Sequence, residues 1–420
     1  MNASANPSKR SLPFTGALFG IFFIVVTLDS LYITDANYAL LSQIRLYSTF
    51  LLGGLVLAFL LYIIFFSAPS KALLYYSCAH LLLILYGLLL SLTFGGADYF
   101  FDDPKLILYL LVSLGFGQAM ASHFLSSLGP DRTRISILLP TYFYVSLIYL
   151  VLSGALLFGP LPYFSFDQLD QVDRNYSHAT SALFGIASLY FLLASYDRST
   201  ASRLALTLVS FFCLYLSAMG GARGDFAIAV FLYAIILIRH RSVYSYILIS
   251  GFVGLVIYIL SDDEILHKVL IVERYLSIVE SGDFGDRDVL VAQSLSLLGD
   301  RPACIIGGCG FNYFQYFYNY EYGLYPHNFI MELLITFGLL LALPLVFYIL
   351  FGAWRLFTDP RADRFFFYFS MYVLLVALKS GSLIDFKSFP IILFLAFVPY
   401  FCRVAGSPGG LLAATTCPRS

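Results

Sequence analysis

The feature that most limits this chain is the recurrence of long apolar runs, separated by short polar turns, from one end to the other. An α-helix needs about 20 apolar residues to cross about 30 Å of hydrocarbon. Inside lipid every backbone N–H and C=O has to find a partner within the protein, so such runs fold as spanning helices. They fall near 13–28, 46–66, 72–93, 106–126, 135–159, 181–195, 204–219, 226–238, 245–260, 327–353, 365–379 and 389–402. The expected fold is an all-α polytopic integral membrane protein with about 12 transmembrane helices. It reads as a single transmembrane domain over 1–420, interrupted late by a polar outer loop at 262–326.

Composition agrees. The 420 residues are 60% hydrophobic and only 12% charged, whereas a soluble domain carries about 25% charged residues to cover its surface. The many Phe and Tyr side chains suit aromatic belts at the two membrane faces. A net charge of −1 gives no footprint for nucleic acid. The run after Lys9 and Arg10 has the look of a signal peptide. No small-residue cleavage site follows it, however, and it reads as a retained first span.

Placing the N-terminus inside and alternating puts a basic residue in every inner connection. These are Lys9 and Arg10, Lys71, Arg132 and Arg134, Arg198 and Arg203, Arg239 and Arg241, Arg355, Arg361 and Arg364, and Arg403 and Arg419. Only Asp131, Asp197, Asp359 and Asp363 join them, so the positive-inside rule sets both termini on the cytoplasmic side. In the outer connection at 160–180, Asp167, Asp170 and Asp173 read as a solvated face. The chain shows no internal repeat and no matching pair of broken helices of the kind inverted-repeat transporters carry.

Two spans are short. Apolar residues 226–238 cover about 20 Å as a helix and 204–219 about 24 Å. The hairpin between them, Gly220-Gly221-Ala222-Arg223-Gly224-Asp225, is therefore expected below the outer surface, with Arg223 facing a water-filled pocket.

The loop at 262–326 carries Lys268, Arg274, Arg287 and Arg301. Ile265, Val269, Val272, Leu276 and Val279 mark one apolar helical face, and a second amphipathic helix is expected from Asp288 to Leu298. Arg287 just ahead of that helix is either half of a phosphate site or the partner of Asp286 or Asp288. Asp286-Arg287-Asp288 has the form of a metal-binding D-x-D, but the arginine competes with a cation for both carboxylates, and no metal is expected. Cys304 and Cys309 alone share an aqueous loop. Two unlinked thiols are favoured there over a small disulfide. Next come a turn at Gly307-Gly308-Cys309-Gly310 and an aromatic run at 311–320, which serves either as an interfacial belt or as a stacking wall for sugars.

Tyr325-Pro326-His327-Asn328 opens the tenth span, with Pro326 expected to set His327 and Asn328 in the first helical turn. His327 is either a hydrogen-bonded interfacial imidazole or a proton acceptor. Glu332, one turn on, has to be paired inside the membrane, and Arg223 is the expected partner.

Three stretches together resemble the O-antigen polymerase and O-antigen ligase superfamily. They are Ser217 through Gly224, Arg287 through Leu298 with Pro302 and Ile306-Gly307-Gly308-Cys309-Gly310-Phe311, and Pro326 through Leu334 with Phe337-Gly338-Leu339-Leu340. The resemblance covers about a third of the chain, roughly residues 205–345, and the N-terminal half contributes no motif. It implies a metal-independent, inverting glycosyltransferase without cofactor, in the bacterial inner membrane. Such an enzyme joins undecaprenyl-diphosphate-linked oligosaccharides at the periplasmic face, under the 262–326 loop as a catalytic lid. By motif, Arg223 and Arg287 hold the diphosphate and His327 is the catalytic histidine, with Glu332 beside it; Arg274 is carried by position only. Asp225, Asn328 and Tyr325 are the remaining expected substrate contacts. Membrane lipid, a chain-length regulator and a flippase are the implied partners. The polymerase branch is preferred. The ligase, which takes the lipid A core as acceptor, is the first alternative, and a lipid-linked oligosaccharide flippase or transporter is the second.

Overall fold

The computed structural model describes residues 71–102, 105–128, 178–240, 287–320, 325–359, 364–384 and 388–406. It adds a hairpin at 156–158 and 162–164 and scattered positions at 54, 140–151, 246–254 and 362. The runs near 13–28, 46–66 and 245–260, most of 135–159, the acids at 167, 170 and 173, the apolar face of 265–279 and Arg274 lie outside the described residues.

In chain order the elements are α1 (Lys71–Phe94), α2 (Asp98–Asp102), α3 (Lys105–Ser127), β1 (Leu156–Phe158), β2 (Pro162–Phe164), α4 (His178–Tyr196), α5 (Thr200–Met219) and α6 (Arg223–His240). Then follow α7 (Arg287–Asp300), α8 (Pro302–Gly307), α9 (Tyr313–Tyr318), α10 (Phe329–Thr358), α11 (Arg364–Ser380) and α12 (Ser388–Gly406). Four of the described helices, α1, α3, α5 and α10, are long and apolar enough to cross a membrane, and α4 and α12 contain shorter apolar segments. The protein is a helical membrane protein. Its exposed residues include Leu82, Leu89, Leu340, Phe347 and Leu350, the surface that acyl chains cover.

The chain divides into two compact units. One is built from α1–α3 and α7–α12. Its interior is aromatic, with Phe124 edge-on to Phe394 at 5.3 Å and Tyr76 edge-on to Phe397 at 5.4 Å. Lipid tails are as apolar as Leu, so close packing rather than exclusion of water holds such helices together. Gly352 of α10 meets α12 so closely that a Cβ there would fall on the Leu395 carbonyl oxygen. Gly117 of α3 likewise makes room for the Tyr76 hydroxyl of α1.

The second unit holds β1, β2 and α4–α6. Hydroxyl groups link its helices: Ser210 Oγ donates to Ser188 O at 2.7 Å and Ser217 Oγ to Ser181 O at 2.7 Å. Such bonds replace water where none is available. Leu156 pairs with Phe164 in the antiparallel hairpin, so the run expected to stay helical to 159 has already become strand at 156. Tyr215 of α5 ties the hairpin down through Pro162 O at 2.6 Å.

Candidate functional site

The residues singled out in the sequence fall into two groups, one in each unit. Arg287, Tyr325, His327, Asn328 and Glu332 belong to the first; Arg223 and Asp225 belong to the second.

In the first unit the organising feature is a break in α10. Gly338 has φ 67 and ψ 172, a conformation essentially closed to residues with a Cβ. The break frees carbonyls of the preceding turn, and the glycine turn after α8 takes them up: Cys309 N donates to Ile335 O at 2.7 Å and Gly310 N to Thr336 O at 3.1 Å. From the other side Tyr86 of α1 donates to Gly307 O at 2.6 Å and Ser91 to Phe311 O at 2.9 Å. Non-helical backbone next to membrane helices is tolerated only when buried in protein with its polar groups satisfied. Both conditions hold here. Ile335 lies six residues into α10, about 9 Å below its start. Gly307–Phe311 therefore also dips between helices.

Glycine is required along this contact. A Cβ on Gly338 would fall on Ile306 O, one on Gly308 on Thr336 O, and one on Gly310 on the backbone of Ser91. Phe311, 1% exposed, fills the space left by Gly87. Cys304 and Cys309 are joined by a disulfide, with Cα atoms 5.0 Å apart, where unlinked thiols were favoured. A five-residue separation does not distinguish the two states; the fold of α8 back onto α10 brings the sulfurs together.

The aromatic run divides. Tyr313 and Phe314 are buried with Leu290, Leu297 and Ile335 in a small core under α7, while Tyr318 stacks on Tyr320 at 5.6 Å. Gln293 donates to the Tyr320 hydroxyl at 2.7 Å, and the Tyr318 hydroxyl donates to Gln293 O at 2.8 Å. Most of these rings serve as packing for the loop. Tyr99 of α2 anchors its end by donating to Tyr320 O at 2.5 Å. Burial, then the negative charges of Asp102 and Asp98, push that hydroxyl above its ordinary pKa and keep it a donor.

Arg287 is the first residue of α7 rather than a residue ahead of it, and it is exposed. Its neighbour Asp288 is exposed in the same turn. The tenth span also starts later than expected. Asn328 is the N-cap, its carboxamide oxygen accepting from Ile330 N at 3.0 Å and Met331 N at 3.3 Å. His327 therefore precedes the helix, with φ 51, and its ring lies 4.1 Å from that of Tyr325. The Tyr325 hydroxyl donates to Ser380 O at 2.7 Å.

Glu332 is buried and hydrogen-bonded at both oxygens. Oε1 accepts from Ser382 Oγ at 2.9 Å and Oε2 from Leu383 N at 2.9 Å. The turn after α11 thus supplies two donors to the carboxylate. Sequence reading missed this turn. The available signal was a polar stretch, Lys379-Ser380-Gly381-Ser382, at the same membrane face as Glu332.

In the second unit α5 has 20 residues and α6 has 18, about 30 Å and 27 Å long. Both exceed their apolar runs because Thr200–Arg203, Arg223–Asp225 and Arg239–His240 are helical as well, so helix length gives no reason for a sunken hairpin. The turn itself is tight. Gly221 takes φ 74, and Ala222 N donates to Ser181 Oγ of α4 at 3.1 Å. Arg223, half-buried, starts α6. Asp225 in the same turn is buried and lies 2.8 Å from Nδ1 of His178, the first residue of α4. The His178 side chain is 44% exposed against 2% for that of Asp225. Sequence reading missed His178, because nothing in an isolated histidine before an apolar run points to an aspartate 47 positions on.

Comparison with models of protein families, with curated proteins and with solved structures finds no match for the chain.

Proposed function

We propose that the chain is a twelve-span bacterial inner-membrane glycosyltransferase, with both termini cytoplasmic. It polymerises undecaprenyl-diphosphate-linked oligosaccharide repeats into a surface polysaccharide at the periplasmic face. The observation that carries the reading is the interlock of Gly307–Phe311 with the break in α10. Two of the three stretches behind the family resemblance form one structural element through Cys309 N–Ile335 O and Gly310 N–Thr336 O. The Cys304–Cys309 disulfide supports the outward orientation, since disulfides persist in oxidising compartments.

The donor sugar arrives with a diphosphate leaving group, so the transfer asks for two things. Charge developing on the departing diphosphate has to be stabilised, and one hydroxyl proton of the acceptor has to be taken up. Arg223 and Arg287 are the cations assigned to the first task, through charge-assisted bonds to phosphate oxygens. The second task falls to His327 or a nearby carboxylate, Glu332 or Asp225. Both oxygens of Glu332 accept hydrogen bonds from the protein, and Asp225 is buried against His178. These contacts favour the His327 imidazole for that role. A chain-length regulator and a flippase are the partners this reading implies.

The test is a deletion strain complemented with Arg223→Ala, Arg287→Ala or His327→Ala. The inserted variants should give single repeats in place of a polysaccharide ladder. Normal modal chain lengths in all three variants would sink the proposal. Long lipid-linked chains that never reach lipid A would point to the ligase instead, and repeats held on the cytoplasmic leaflet to a flippase.

A further inference from the structure

The contact between Gly307–Phe311 and the break in α10 is built from pieces that cannot hold themselves. Helix α8 has six residues, too few to be stable alone. The turn after it sets Gly308 at φ 82 and Gly310 at φ 88, against Gly338 at φ 67. Glycine gives up more freedom on ordering than any other residue. Cys309 sits between the two glycines of the turn. Its N–H donates to Ile335 O of α10 at 2.7 Å, and its sulfur is bonded to that of Cys304 in α8. The Cys304 carbonyl accepts from Gly308 N at 3.1 Å. The disulfide therefore ties α8 to the very residue that docks on α10. Both cysteines are closed off, Cys304 at 0% and Cys309 at 1% exposure, in the small core with Leu290, Leu297 and Ile335.

We propose that this disulfide locks the contact, and that a thiol–disulfide oxidoreductase on the outer side makes it before α8 docks on α10. The assignment does not depend on the glycosyl-transfer reading. A cross-link acts by narrowing the unfolded ensemble, here that of the glycine turn. Exchange needs a thiolate to reach a sulfur, which the buried positions of the folded chain do not allow. The bond therefore has to form while α8 is still undocked. Uncatalysed disulfide rearrangement takes on the order of minutes to hours, slow beside the packing of helices. That mismatch favours an enzyme over a dissolved small oxidant. In the first step, the thiolate of one cysteine attacks the partner's disulfide, giving a mixed disulfide and releasing one partner thiolate. The thiolate of the other cysteine then attacks the chain's own sulfur in that mixed disulfide, and the partner leaves as a dithiol. The chain loses two electrons and two protons, and the partner gains both.

The experiment expresses the full chain in a strain with and without its outer thiol–disulfide oxidoreductase. Thiols are trapped with a maleimide on lysis in denaturant, and the peptides carrying Cys304 and Cys309 are read by mass. In the complete strain both cysteines should stay unlabelled until reductant is added. In the deficient strain most of the chain should be labelled at both. The purified oxidised chain should unfold several degrees above the reduced wild type, whose sequence is identical, so that only the bond differs. Labelled thiols in the complete strain overturn the proposal outright. Equal midpoints for oxidised and reduced wild type overturn the lock, and full oxidation in the deficient strain overturns the partner. If the reduced wild type does not accumulate, the double variant Cys304→Ala with Cys309→Ala in the complete strain decides. Normal abundance and midpoint then overturn the lock, and a loss of either supports it. None of these readouts measures sugar transfer, so failure here is distinct from failure of the glycosyl-transfer reading.

Discussion

The turn at Gly307–Phe311 and the turn at Gly220–Asp225 are both glycine-rich and both sit against membrane helices, yet they use their polar groups differently. In the first, Cys309 N and Gly310 N meet backbone carbonyls, Gly307 O and Phe311 O accept from the Tyr86 and Ser91 hydroxyls, and Gly308 and Gly310 are needed for close approach. In the second, the Ala222 N–H goes to the Ser181 hydroxyl, and the Asp225 and His178 side chains meet at 2.8 Å. Similar sequence texture therefore serves a backbone interlock in one unit and a side-chain carboxylate–imidazole contact in the other. Substitutions that insert volume should ruin the first turn, and substitutions that remove the Asp225–His178 contact should bear on the second.

The largest effect is expected from Gly338→Ala. It combines a disfavoured backbone conformation, costing about 1–3 kcal/mol, with a methyl group directed onto the Ile306 carbonyl oxygen. Relief would require α10 to straighten, which abolishes the acceptors of Cys309 and Gly310. The variant should show a sharp drop in membrane abundance and in the midpoint of thermal unfolding in detergent. An unchanged midpoint would mean that the break is not held by the loop.

Second in size is Glu332→Ala. It removes the partner of the Leu383 N–H and of Ser382 Oγ at once, and a buried donor left unmade costs about 1–3 kcal/mol. Glu332→Gln keeps an acceptor and should cost less, with Ser382→Ala the mildest of the three. If Glu332 instead acted directly on substrate, Glu332→Gln would abolish transfer at wild-type stability, and the two measurements together separate these roles.

How much of this was legible in sequence depended on which force acted. Apolar runs marked α1, α3, α11 and α12 closely, because the cost of an unsatisfied backbone in lipid makes a long apolar run helical. Ends were less legible: Arg223 and Asp225 are helical although charged, since a helix continues into the interface as long as its side chains reach water or a partner. The break at Gly338 was hidden, because Phe337-Gly338-Leu339-Leu340 has the same hydropathy whether straight or broken, and only the arrival of Gly308 against it decides. The motif positions of His327 and Glu332 were visible, but their surroundings were not. Ser382 lies 50 residues from Glu332 and His178 lies 47 from Asp225, and no local pattern links residues that distant.

The smallest expected effect sharpens the comparison most finely, because it falls on a residue with two candidate roles. Asn328 was expected to bind substrate, and the structure gives its side-chain oxygen to Ile330 N and Met331 N as a helix cap. Capping predicts that Asn328→Ala lowers stability by about 1 kcal/mol, and that Asn328→Asp or Asn328→Ser, both good caps, restores it. Substrate binding predicts a different order, because Asp would place a negative charge beside a diphosphate substrate. Thermal unfolding and transfer rates for the three variants discriminate. Stability and transfer restored together by Asp leave Asn328 with the scaffold turn. Stability restored while transfer stays low assigns its amide group to the substrate, and α10 then contributes to chemistry as well as to framework.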